Sequence, residues 1–289
     1  MNTIEAREGS FDPLSPGIGR HSIHIRAVFQ NLWAHQGLIR SMIRREMNMR
    51  YRGSFLGFLW LIVHPLLMLS IYTFFFGFVF RSPWQEGNGS LLELAIFLFS
   101  GLLIFNFFSE CLTQAPNLIL QNAHHVKRVI FPLETLAPVM IGAALFHTLL
   151  GILIIIILKF FLQGALSWSI FFLPVALTPL ILFTAGLSWF LASLGVYFRD
   201  VKHLIGLSTL VMLFLSPIFY PLSVLPKALQ RLEFFNPVAF AIEQVRTVLL
   251  TYHSPNFYGC FFHLLMSGLV AWLGFAWFQK TRCGFPDVL

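Results

Sequence analysis

Charge is scarce in this chain. Only 12 of its 289 residues are Asp or Glu, 19 are Lys or Arg, and charged residues make up 11% of the whole. Soluble domains carry roughly a quarter of their residues as charges. With 57% hydrophobic residues and a mean hydropathy of +0.77, the composition excludes a soluble domain and calls for a membrane as solvent. Cysteine is sparse too: Cys111, Cys260 and Cys283 are far apart and form no CxxC pair, which speaks against a zinc site or a disulfide framework and for small apolar packing roles. No GxxxxGK[ST] loop occurs, so the chain cannot bind and split a nucleotide in that way. Paired carboxylates and a Ser/His/Asp arrangement are also missing, against a membrane enzyme. A gradient-driven carrier would need acidic groups near several span midpoints, with two related halves as a further sign; Glu110 alone comes close and no internal repeat is visible. The formal charge of +7 gathers at helix ends rather than along one face, so it signals topology rather than nucleic-acid binding.

What is present is organised around Leu38 to Phe80. Arg40, Arg44, Arg45, Arg50 and Arg52 precede a run from Gly53 to Phe80 whose sole ionisable side chain of basic type is His64. An Arg at the bilayer centre costs about 2.5–3.5 kcal/mol even on the gentler insertion scale, so the chain enters the membrane at Arg52–Gly53 and the arginines stay on the cytoplasmic side. Ahead of that point, residues 1–22 read as a flexible tail, with no apolar run of the kind a cleaved signal carries. Residues 23–52 read as an amphipathic interface helix: Ile25, Val28, Phe29, Leu32 and Trp33, then Ile39, Met42, Ile43 and Met47, form one apolar stripe, with the arginines off it.

Residues 53–289 read as six spans. They cover about Ser54–Phe80, Leu94–Leu118, Leu136–Leu158 (with Lys159 expected to close it on the outside), Ile170–Val196, Leu204–Leu222 and Phe257–Phe278. The first is about 40 Å long at 1.5 Å per residue, and His64–Pro65 is expected to kink it. Glu110, a carboxylate inside the second span, is either a functional group or a partner for a neighbouring helix near the inner end. Residues 223–255 mix apolar clusters with Lys227, Arg231, Glu233, Glu243 and Arg246 and are cut by Pro226 and Pro237, which predicts two short re-entrant helices in the outer leaflet. The expected fold is therefore an all-α integral membrane protein. Lys and Arg then fall fourteen of nineteen on the inside, so both termini are expected to be cytoplasmic. His124 and His125 make a poor metal pair, because neighbours on a helix diverge by about 100°; neither a metal site nor a catalytic residue is assigned.

Aromatics are abundant, with 34 Phe, 7 Trp and 6 Tyr. Aromatic faces can stack on the C–H faces of sugar rings without fixing a sugar sequence, and Trp60, Tyr72, Phe105, Phe108, Phe219 and Tyr220 are the candidates for lining a lumen.

Four stretches carry a resemblance: RRE-x3-RYRGSFLGFLW from Arg44 to Trp60 with the following HPLLMLSIYTFFFG, NAHHVKRVIFPLE from Asn122, YFRDVKHL from Tyr197, and SPIFYPLSVLP through FNPVAFAIEQVR to Arg246. Together they resemble the membrane subunit of polysaccharide-exporting ABC transporters, the O-antigen and teichoic-acid export permeases, over nearly everything after about residue 35. The resemblance implies a homodimer in the bacterial inner membrane, working with two copies of an ABC-type ATPase subunit that carries ATP and Mg. It implies no cofactor in this chain and a substrate polysaccharide linked to polyprenyl pyrophosphate. It also implies that residues 121–134 form a coupling helix docking on the ATPase through Asn122, His125, Lys127, Arg128, Phe131 and Glu134. Residues 223–255 would be gate helices, with Asn236, Pro237, Glu243 and Arg246. On this footing Arg44, Arg45, Arg50 and Arg52 are candidates to receive the pyrophosphate. The alternative is a membrane polymerase or glycosyltransferase acting on lipid-linked sugars.

Overall fold

The computed structural model describes residues 33–51, 57–75, 91–126, 131–164, 167–220, 226–227 and 235–289. The expectations for the 1–22 tail, residues 23–32, Arg52, Lys127, Arg128 and most of the first half of the 223–255 segment lie outside these residues, as does the side chain of His125. The described residues form helices and connecting turns, with no strand among them. We label the main helices α1 (Gln36–Tyr51), α2 (Trp60–Tyr72), α3 (Leu91–Gln114), α4 (Leu136–Gln163), α5 (Leu173–Tyr197), α6 (Val201–Leu215), α7 (Pro237–Arg246) and α8 (Phe257–Thr281).

Among the described residues, four helical stretches are long and apolar enough to cross a membrane: Leu91–Gln121, Leu133–Leu162, Trp168–Tyr197 and Phe257–Val288. The sequence expectation was six. The other two apolar segments are helical but shorter within the described residues, Trp60–Phe75 and Val201–Leu215. A span needs about 20 residues at 1.5 Å each, and α6 stops at Ser216, where Pro217 follows and the backbone turns. A prolyl nitrogen has no hydrogen to continue the helix ladder, so the fifth segment breaks earlier than its apolar run suggests.

α5 and α8 form the most extensive helix pair. A side chain at Gly274 would run into the Gly186 backbone, and one at Gly186 into the backbone of Val270 and Ala271. Between lipid-embedded helices hydrophobicity gives little drive, so close backbone approach through small residues supplies the van der Waals contact. α3 occupies the centre, packed on α2, α4, α5, α6 and α7, with Ile104, Phe105, Phe107, Phe108 and Cys111 buried along it. α1 lies against α4, with Ile43 over Gly142. The outward faces keep Leu204, Leu207, Val211 and Phe214 of α6 and Leu153, Ile157 and Phe161 of α4 exposed, a surface that suits hydrocarbon rather than water.

α7 starts on a strong signal. The Asn236 side-chain oxygen accepts from the backbone N–H groups of Val238 (3.1 Å) and Ala239 (3.3 Å), and Pro237 takes the first helical position, where a missing N–H costs nothing. A π-helical turn, Thr247–Thr251, continues it. Ser169 donates to the Val248 carbonyl (2.7 Å) and Lys159 to that of Leu250 (3.3 Å), so side chains near the ends of two spans hold the turn's carbonyls. Lys159, expected to close the third span from outside, instead lies within α4 and is buried.

Candidate functional site

The arginines of α1 divide between two faces. Arg44 and Arg45 are exposed and, with Ser41, Asn48 and Met49, line a surface groove of about 400 Å³. Arg50 turns to the packed side, where its Nη2 lies 2.7 Å from Glu110 Oε1 on α3; each side chain is about one-third exposed. Gln114 Nε2 also donates to Glu110 Oε1 (3.1 Å). Glu46 sits beside this pair. Burial pushes its carboxyl above the usual range, Arg50 pulls it back, and Glu110 adds to the rise. Of the two readings of Glu110, the partner for a neighbouring helix is the one the geometry realises, and Arg50 already has a carboxylate bound.

α1, α2, α3 and α4 line an open cavity of about 390 Å³, and the Arg50–Glu110 pair forms part of its wall. Its walls carry His64, Tyr72, Asn106, His147 and Thr148 among apolar neighbours that include Trp60. Polar groups at membrane depth face a bundle interior or a wet cavity, since hydrocarbon offers them no partner. This volume lies within the range of about 300–1,000 Å³ seen for small-ligand pockets. Of the six candidate lumen aromatics, Trp60 and Tyr72 line it. Phe105 and Phe108 do not; they are 3% and 1% exposed, and Phe108 stacks on Phe183 with ring centroids 6.1 Å apart. Phe219 and Tyr220 stand beyond the break after α6, where the Tyr220 hydroxyl reaches the Phe214 and Leu215 carbonyls at 3.4 Å each.

A second polar cluster lies at the end of α7. Arg246 is 3% exposed. Its Nη1 donates to Pro217 O (2.6 Å) and Glu243 Oε1 (3.3 Å), and its Nη2 to Ile218 O (2.8 Å) and Phe97 O (3.2 Å). The guanidinium carbon lies 3.5 Å from the Phe97 ring centroid. A Cβ at Gly101 would come within 2.6 Å of Nη2, so only glycine leaves room for the head group. Burial lowers the Arg246 pKa to about 10, against the opposing pull of Glu243, so it stays cationic at neutral pH. Burial likewise raises that of Glu243, which Arg246 partly offsets. Arg246 therefore fastens α7 to α3 and to the carbonyls freed where α6 ends; Asn236 and Pro237 build the helix start at the other end.

The residues expected to contact an ATPase separate in the same way. Asn122 Nδ2 donates to Leu118 O (2.9 Å), closing the short helix before it. Phe131 is half-buried. Glu134 points inward: its carboxylate pairs with Arg282 at 2.8 Å, and its carbonyl accepts from Trp189 Nε1 at 3.0 Å. Arg282, Trp189, Gly101 and the Arg50 partner of Glu110 escaped the sequence reading. A buried carboxylate announces a cationic partner, but nothing in the linear order tells which of nineteen cations supplies it. Among the described residues no group of three His, Cys, Asp or Glu side chains is placed to hold a metal.

Long apolar helices, some of them packed around a cavity with a few polar groups in its apolar wall, define a multi-span helical membrane protein. Within that class the chain belongs to the ABC-2 type transporter family, whose membrane domain matches residues 37–250. It is 25% identical over 260 residues to an O-antigen export system permease protein RfbA of Myxococcus xanthus, covering 89% of this chain and 97% of that one. It is 26% identical over 248 residues to an RfbA of Klebsiella pneumoniae (85% and 92%), and 24% identical over 226 residues to the polysialic acid transport protein KpsM of Escherichia coli (73% and 81%).

Proposed function

We propose that this chain is the permease subunit of an ATP-driven exporter that moves a polysaccharide of O-antigen type, linked to polyprenyl pyrophosphate, out of the cytoplasm. The observation that carries the reading is the family match across residues 37–250. It is supported by relatives named for O-antigen, polysialic acid and capsule export. Two copies of the chain enclose the path, and two ABC-type ATPase subunits, holding ATP and Mg, drive it. The six apolar segments cross the bacterial inner membrane with both termini in the cytoplasm. Trp60 and Tyr72 in the α2–α3–α4 cavity offer faces for sugar rings, and the exposed Arg44 and Arg45 offer forked donors for a pyrophosphate. Arg50 contributes only by giving up Glu110. Residues 121–134 dock on the ATPase, and the 223–255 segment, anchored by Arg246, gates the outer face.

The test is purification in nanodiscs followed by reconstitution with the ABC-type ATPase that co-purifies. Export is expected to require ATP and to leave glycan length unchanged. A chain that binds no ATPase, or that lengthens or trims the glycan unaided, would make the enzyme alternative the correct one.

A further inference from the structure

Both ends of the 121–134 segment are tied to the same helix, and it is neither of the two helices that the segment joins. The chain reaches the segment through Ala115–Asn117 and Leu118–Gln121, and there Pro116 lies so close to Gly195 of α5 that a side chain at Gly195 would overlap the Pro116 backbone. It leaves through Glu134, whose carbonyl is held by Trp189, also on α5. The Glu134 carboxylate reaches past α5 to Arg282, 148 residues away, just beyond α8. The neighbouring Thr281 is bonded back to α5 twice: its hydroxyl lies 2.6 Å from Ser193 Oγ, and its carbonyl accepts from the Tyr197 hydroxyl at 2.8 Å. Phe285 then closes the junction, fully buried against Phe278 and Tyr197.

We propose that Glu134 and Arg282 are a positioning pair through which displacement of the 121–134 segment is passed to the α5–α8 pair as one body. The physical basis is stiffness. α5 and α8 touch backbone to backbone at Gly186 and Gly274, so they cannot slide past one another without separating. The pair is nearly buried, with Glu134 at 6% and Arg282 at 17% side-chain exposure, so it is screened far less than a surface pair. Two-point attachment at Pro116 and Glu134 means that a push on the segment reaches α5 from both sides. Without the Glu134–Arg282 bond, the exit end would keep α4 and the Trp189 bond to α5, and α8 would lose its own side-chain tie to the segment.

This inference rests on the reading of residues 121–134 as the ATPase-docking segment, and the tests separate the two. The first uses the chain alone in nanodiscs. Of the three cysteines Cys283 is exposed while Cys111 and Cys260 are buried, so a nitroxide on the native Cys283 reports the junction. Arg282→Gln is expected to make that label more mobile at unchanged helix content; unchanged mobility overturns the pairing. The second uses the complex with the ATPase. Arg282→Gln is expected to keep ATPase co-purification and basal hydrolysis, yet to lower polymer exported per ATP about five- to tenfold, the size of effect that coupling residues produce. The double variant Glu134→Arg with Arg282→Glu is expected to recover at least half of the lost ratio. Normal export per ATP in Arg282→Gln, or a swap as deficient as the single variant, sinks the proposal. A wild-type chain that takes up no ATPase sinks the docking reading instead, and leaves the label result standing.

Discussion

Replacing Arg246 with Met is the sharpest test of what holds α7 in the bundle. Met matches the length of the aliphatic stem but removes every donor. Three of the four acceptors are main-chain carbonyls, of Phe97, Pro217 and Ile218, and no side-chain change can remove them. Hydrogen bonds from a charged group are worth about 1.5–3 kcal/mol each, and a cation desolvated over an aromatic face about 2 kcal/mol. These cannot be summed, because one guanidinium makes them all. Breaking a buried ionic contact from one side costs about 3–5 kcal/mol, and we take that as the expected loss for Arg246→Met. At about 2–4 °C per kcal/mol for chains of 150–250 residues, Tm should fall by about 10 °C. Arg246→Lys should lie between, since an ammonium supplies a point charge without the fork that spans Pro217 and Ile218. The assay is thermal unfolding of detergent-purified protein at one scan rate, because unfolding of such chains is rate-governed. An Arg246→Met protein melting within about 2 °C of wild type would refute the clamp.

Other outcomes follow from the same packing. Gly274→Val must push α8 off Gly186, so its cost should reach or exceed the upper end of the range of about 1–3 kcal/mol for overpacking, read as lost folded yield and a lowered Tm. Thiol labelling of the folded protein should modify one cysteine per chain, Cys283, with Cys111 and Cys260 reacting only on unfolding; two fast thiols would contradict the burial of Cys111 on α3 or of Cys260 on α8. Glu46 favours its protonated form in the fold. Its contribution to stability is therefore present below the ordinary carboxylate value and lost as pH rises through the raised one. Glu46→Gln should flatten that part of the pH–Tm curve and leave neutral-pH stability equal to or above wild type; a large loss at neutral pH would show that the carboxylate is needed charged.

The order of helices was readable because an apolar run near 20 residues can satisfy its backbone in a membrane only as a helix. For that reason four of the six expected spans appear as helices of spanning length and the other two as shorter helices among the described residues; the shortfall of α6 traces to Pro217, whose effect on length the hydrophobic pattern hides. The polar sites were harder. Arg246 sits among prolines and charges in a stretch expected to form short re-entrant helices, and it is buried because carbonyls just beyond the end of α6 accept from it. Lys159 likewise looked like a terminal anchor until Leu250 supplied its acceptor. Glu134 was expected only as part of the 121–134 coupling helix, and its partners Arg282 and Trp189 come from distant parts of the chain. In each case the charge was visible and its partner was not, because the partner is a neighbour only after folding. Where a chain carries so few charges, a cation within an apolar stretch is better read by asking which carbonyls its fold leaves unbonded than by asking which side of the membrane it marks. By that reasoning the break at Ser216–Pro217, a helix end without a continuing ladder, was the cue that an arginine had to come to it.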